Sequence, residues 1–283
     1  MRLSTSNPPG ATAALLLLAT APAWSAESYD NCTGFIDAVP AVIATQGTWC
    51  LRHDLSTAMA SGNAITVAAN NVTIDCNDFK LGGLAAGSGS QATGIGATDR
   101  HNVGVRNCNI RGFNLGIAAK GVGSGHRIEG NRLDNNLVAG IVVDGENNLV
   151  RGNQVLDTGG LIGSNGTVVA IHAAADILDN TVAGVFSDSD GYAHAGIVAT
   201  IPGAEVRGNR VRGLVAFLSY GLFTSASGVT FDGNRVSATG ATNCTGIYGA
   251  GVLTFCSNNT VVNFDAAYTG CEAAVDNLTL PAP

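Results

Sequence analysis

The chain has 283 residues, 46% of them apolar, 12% charged and 6% aromatic, with 38 glycines and seven cysteines. A charged share about half the usual one-quarter, beside an ordinary apolar share, excludes a solvated disordered chain and supports a packed core. Fourteen Lys and Arg stand against 21 Asp and Glu, a formal net charge of −7 with no basic run, which argues against nucleic acid as a partner.

Residues 1–26 read as a signal peptide. Arg2 precedes an apolar stretch from Ala11 to Ala21 that holds Leu15 to Leu18, and Ala21, Ala23, Ser25 and Ala26 supply small residues for cleavage. About 11 apolar residues are too few to cross a bilayer, which takes about 20, and no later segment is longer. The mature chain is therefore expected to lack an integral membrane segment and to be secreted or periplasmic. In that oxidising setting Cys32, Cys50, Cys76, Cys108, Cys244, Cys256 and Cys271 are disulfide candidates, with at least one left over in a monomer. No Cys-x-x-Cys occurs and the histidines are scattered, so a closed zinc site is not expected.

Residues 27–64 are expected to form an N-terminal cap. Phe35, Val39, Val42 and Ile43 fall at near-helical spacing, which predicts a short amphipathic helix limited by Pro40. Cys32 and Cys50 flank it and are placed to staple it.

From residue 65 to 283 the chain is organised by a repeat. Gly94-Ile95, Gly116-Ile117, Gly140-Ile141, Ala170-Ile171, Gly196-Ile197, Gly221-Leu222 and Gly246-Ile247 recur at steps of 22 to 30 residues. Between them falls apolar-x-x-Asn: Ile128 to Asn131, Val150 to Asn153, Ile177 to Asn180, Val206 to Asn209, Phe231 to Asn234 and Phe255 to Asn258. Ile74 to Asn77 begins the series, and Val105 leads to Cys108 where Asn is expected. Two motifs sharing one variable period imply one coil per period, and local alternation such as Ile141-Val142-Val143-Asp144 makes the segments strands. Coils of this length suit a parallel β-helix, each coil stacking on the next at about 4.8 Å. A stacked Asn in the turn can bond turn backbone and the Asn of the neighbouring coil, satisfying polar groups that are costly to bury unpaired. Cys76 and Cys108 stand one residue out of register on adjacent coils, close enough for a second bridge. Pairing among Cys244, Cys256 and Cys271 stays open.

The Asn turns, the Gly-aliphatic strands and the segment Asn71-Val72-Thr73-Ile74-Asp75-Cys76-Asn77 resemble the secreted right-handed parallel β-helix proteins of the pectate-lyase-like superfamily. The resemblance implies an all-β fold of about eight or nine three-strand coils. It places the Gly-Ile strand first, the Asn turn between the second and third strands, and a substrate groove over the first strands.

With the Ile of each Gly-Ile pair inward, one outward column is Gly96, Ala118, Val142, His172, Val198, Phe223 and Tyr248, and a parallel one is Thr98, Lys120, Asp144, Ala174, Thr200, Ser225 and Ala250. Lys120, Asp144 and His172 then lie within roughly 10 Å and form the candidate catalytic group. Lys or His can remove a proton next to a carboxylate, or Asp can act as acid or nucleophile. Phe223 and Tyr248 are candidate sugar platforms, and Tyr192 and His194, on an inserted loop, are expected to overhang them. The plainer reading is a surface ion pair worth about 0–1 kcal/mol beside a solvated histidine. Asp144 has no second carboxylate in these columns for glycoside hydrolysis, and no lyase or epimerase signature is present. Asp188, Asp190 and Gly191 match only part of a calcium-binding turn, so no metal or other cofactor is expected and calcium lacks support. Arg106, Glu129, Arg151, Arg207 and Asp232 share one column before the Asn turn and read as cross-coil charge pairs. Two functions compete: an exported protein that binds an extended polysaccharide along the first-strand face, with cleavage as a lyase or hydrolase as its extension, or a noncatalytic envelope or adhesive scaffold.

Overall fold

The computed structural model describes residue 1 and residues 29–160, 166–187, 194–215, 218–239, 243–251 and 253–280. The expected leader falls outside these except for Met1. The chain winds as a right-handed parallel β-helix, and every strand pairing among the described residues is parallel. One coil illustrates the plan: first strand Leu115–Lys120, second strand Arg127–Glu129, the turn at Asn131, then third strand Arg132–Asp134. In the next two coils the first and second strands merge as Ala139–Arg151 and Val169–Leu178. Among the described residues, first and second strands therefore belong to one 19-stranded sheet, while the third strands form a separate ten-stranded sheet.

The repeat sets the register. Ile95, Ile117, Ile141, Ile171, Ile197, Leu222 and Ile247 lie side by side, and all are buried. Facing them from the third strands run Ile110, Leu133, Val155, Val182, Val211, Val236 and Val261, also buried. Except at Ala170, the residue before each inward aliphatic is a glycine, and close approach, not turn geometry, requires it. A Cβ at Gly116 would stand 2.6 Å from both the Gly140 carbonyl oxygen and Leu133 Cδ2. One at Gly221 would press on Val236 Cγ1 and stand 2.5 Å from the Gly246 carbonyl oxygen. Gly221→Ala is accordingly expected to lower stability by about 1–3 kcal/mol through overpacking. An unchanged urea midpoint would show that the coils have room to give.

The Asn column forms a buried ladder. Asn153 donates its backbone N–H and Nδ2 to Asn180 Oδ1 at 2.9 and 3.0 Å, and Asn180 repeats this to Asn209 at the same distances. The ladder continues through Asn234 and Asn259 to Asn277. Two members differ from the expected ones. Phe231 pairs with Cys256 rather than with Phe255, so Asn259 enters the ladder, while Asn258 takes the positive-φ position (56°) that Gly233 fills one coil earlier. Asn77 is also outside the ladder, because two additional residues separate Ile74 from Lys80 compared with Val105 and Asn109, and its Nδ2 donates to the Leu51 carbonyl instead.

The predicted helix over Phe35–Ile43 is corrected. That segment forms strands Gly34–Ile36 and Ala41–Ile43, paired with Gly47–Leu51 and Asn63–Val67. Ile36 and Ile43 are buried while Phe35 and Val42 stay exposed, the alternation of a strand, and pairing supplies backbone partners that a turn interrupted by Pro40 would lack. Disulfides join Cys32 to Cys50 and Cys76 to Cys108, as expected, and a third joins Cys256 to Cys271. Cys244 is outside the three bridges, and its backbone N–H donates to Asp265 at 3.0 Å.

The charge column pairs across coils at Arg106 with Asp75 and Arg151 with Glu129, both 2.7 Å. Arg207 differs and pairs within its own strand with Glu205 at 2.6 Å, and Asp232 accepts from Ser257 and Asn258. His126 is buried, its Nδ1 accepting the Val103 N–H at 3.3 Å, and His101 bonds Ser124 Oγ at 3.0 Å, so each has a partner the sequence did not suggest. Among the described residues no helix is long and apolar enough to cross a membrane.

Candidate functional site

The first-strand face carries two outward columns over its later coils. Val142, His172, Val198, Phe223 and Tyr248 stand in register, as the alternation predicts. Beside them runs Ala139, Val169, Ala195, Tyr220 and Thr245. The second column was not legible because each strand turns a corner at its glycine. In Ser219–Thr224 both Gly221 and Leu222 face inward, so strict alternation counted back from Leu222 sends Tyr220 into the core. The sheet instead turns it out, half-buried, beside Phe223.

Tyr220, Phe223 and Tyr248 form a triangle of mutually touching rings, with centroids 5.2 Å from Tyr220 to each partner and 5.6 Å between Phe223 and Tyr248. Val169, Ala195 and Val198 pack beneath and beside them. Together with Thr167, His172 and Ala250 they line an open groove of about 430 Å³. Burial, reinforced by Tyr248, raises the Tyr220 hydroxyl above the ordinary phenol range, so it remains a donor at neutral pH.

His172 is the imidazole of this groove. Burial lowers its imidazole pKa below the ordinary value of 6.5; Asp144 opposes that shift and Lys120 adds to it. The ring is therefore neutral at pH 7 and keeps an acceptor nitrogen. An NMR titration is expected to give a midpoint below 6.5, falling further in Asp144→Asn and rising in Lys120→Gln. A midpoint at or above 6.5 in the unaltered protein would contradict this environment.

Lys120 and Asp144 stand on neighbouring coils, since Ala119 pairs with Val143. Among the described residues no ion pair joins them; the Asp144 carboxylate accepts the Gly121 backbone N–H at 3.2 Å. They reach His172 electrostatically but lie outside the groove lining. His194 is corrected: it is fully buried, and its Nδ1 accepts the Val168 N–H at 3.0 Å, so it braces the coil instead of overhanging the rings. Tyr192, Asp188, Asp190 and Gly191 lie outside the described residues. Among the described residues no three or more His, Cys, Asp or Glu side chains gather where they could hold a metal ion.

The winding and its stacked columns define a class that comparison with known proteins also returns. The model of a family described as the right-handed beta helix region matches residues 42–200, more than half of the chain, and the chain belongs to that family. The three rings lie beyond this stretch, on coils that continue its register. Among solved structures the chain is similar to the A-module of the mannuronan C-5 epimerase AlgE6 from Azotobacter vinelandii, at 12% identity over 89% of this chain and 91% of that one, with a TM-score of 0.43. It is also similar to the catalytic domain of a GH87 α-1,3-glucanase in complex with tetrasaccharides, at 12% identity over 89% of this chain and 61% of that one, with a TM-score of 0.36. A search of the curated proteins returned no match.

Proposed function

We propose that this is an exported glycan-binding protein that seats an extended polysaccharide along its first-strand face. The observation that carries the reading is the open groove floored by Tyr220, Phe223 and Tyr248, three touching rings in a chain with only 6% aromatic residues. A sugar ring offers a face of C–H groups that a flat ring covers well, while the tyrosine hydroxyls remain for sugar hydroxyls. Coils spaced at about 4.8 Å give a repeat close to that of a sugar chain lying along the axis. Three disulfides fit an oxidising compartment outside the cytoplasm.

Cleavage is the second step of the proposal. His172, neutral and lining the same groove as the rings, is the group that would take a proton from a water attacking the anomeric carbon, the bond to the departing sugar breaking as that sugar's oxygen takes a proton back, with Asp144 and Lys120 setting the basicity of the imidazole. Purified protein run in affinity gels cast with neutral and acidic polysaccharides, then assayed for new reducing ends and ultraviolet-absorbing unsaturated ends, tests both steps. Retardation with products lost in His172→Ala supports both. Retardation without products keeps the binder and removes the enzyme. No retardation by any polysaccharide leaves the scaffold reading, which the small residues Ala118, Val142, Ala174 and Val198 on the same face favour.

A further inference from the structure

Resting on the glycan reading of this groove, we propose that its ligand is an uncharged polysaccharide, not a polyuronate or a sulfated chain. The reason is where the cations lie. Among the described residues no arginine stands on a first strand: Arg106, Arg127, Arg151 and Arg207 project from second strands, and Arg132, Arg210, Arg212 and Arg235 from third strands. Lys120 is the one lysine on the first-strand face, and its coil neighbour is Asp144, so the pair brings almost no net charge to the groove.

A chain with a carboxylate or sulfate on each sugar would meet this face one anionic group per residue. Beside the rings the groove is walled by Val169, Ala195 and Val198, which offer no side-chain donor, and the donors it has, the two phenols, Thr167 and His172, carry no charge. Each anion would exchange water for uncharged donors or for none, whereas sites for such groups use paired guanidinium donors. The described residues also lack a gathered set of acidic, His or Cys ligands that would hold a divalent cation against a carboxylate. The net charge of −7 adds a repulsive field at longer range. An uncharged chain meets none of these penalties: its C–H faces lie on Tyr220, Phe223 and Tyr248, and its hydroxyls find the phenol groups, Thr167 and His172.

The test uses matched oligosaccharide pairs in the gluco, manno and galacto series, each uncharged member set against the uronate that differs only by oxidation at C6. Binding of the whole protein to each is measured by calorimetry at 50 and 500 mM NaCl. The expected result is at least tenfold tighter binding of the uncharged member in one series, changing less than about twofold with salt. Tighter binding of a uronate, weakening steeply with salt, would overturn the charge inference while leaving glycan binding intact. No binding by either member of any pair would overturn the glycan reading and this inference with it.

Discussion

Asn180→Ala is expected to lower stability by about 2–5 kcal/mol in urea unfolding followed by circular dichroism. Asn180 accepts both the backbone N–H and the Nδ2 of Asn153 and donates to the Val150 and Leu178 carbonyls, so truncation leaves several buried groups unpaired at once. The Asn153 N–H is the costliest of these, because it is buried between coils. Two further variants separate the ladder from general sensitivity. Gln154→Ala, on the exposed third-strand face, is expected to stay within about 0.5 kcal/mol of the unaltered protein. Asn277→Ala should cost less than Asn180→Ala, because Asn277 ends the ladder where the bonds are only partly buried. Equal losses at Asn180 and Gln154 would remove the ladder as a source of stability.

The second large effect is expected in binding. Tyr220→Ala and Tyr248→Ala should each weaken the best-bound oligosaccharide about tenfold, near 1.4 kcal/mol, and together by more than either alone but less than about a hundredfold. Because Tyr220 touches both Phe223 and Tyr248, removing it also loosens its neighbours, and the two losses are not expected to add cleanly. Tyr248→Phe keeps the ring and removes the hydroxyl, so a loss well below that of Tyr248→Ala separates stacking from hydrogen bonding. Both alanine variants should keep the melting profile of the unaltered protein within a few degrees, since their rings are half-exposed on the face. Undiminished affinity in the double variant would place the ligand elsewhere.

Much of the scaffold is legible in the sequence because a solenoid repeats its constraints. The glycine before Ile117, Ile141 or Ile197 is forced by the neighbouring carbonyl and third-strand side chain, and the Asn turns by buried backbone donors. A column seen several times fixes the register of all its members. Legibility fails where one residue must be placed without that repetition. The doublet Asn258-Asn259 hides which Asn enters the core, since the first can adopt the positive-φ conformation usually left to glycine. Phe35 to Ile43 fits helical and strand periods alike over so short a span, and the pairing that decides between them lies with Gly47–Leu51 and Asn63–Val67. In the candidate site, Phe223, Tyr248 and His172 followed from alternation, whereas Tyr220 was hidden by the two consecutive inward residues at each corner. His194 was misplaced for a related reason: it begins strand His194–Ala199 at an inward position, and a loop-tip histidine and a strand-start histidine look the same in sequence.

The most direct measurement is a crystal of the protein soaked with the oligosaccharide that binds most tightly in the matched panel. The account predicts sugar density along the first-strand face, with at least one ring lying flat on Tyr220, Phe223 or Tyr248 and the chain running beside His172. Density confined to the second- or third-strand faces, or an empty groove at saturating ligand, would contradict it.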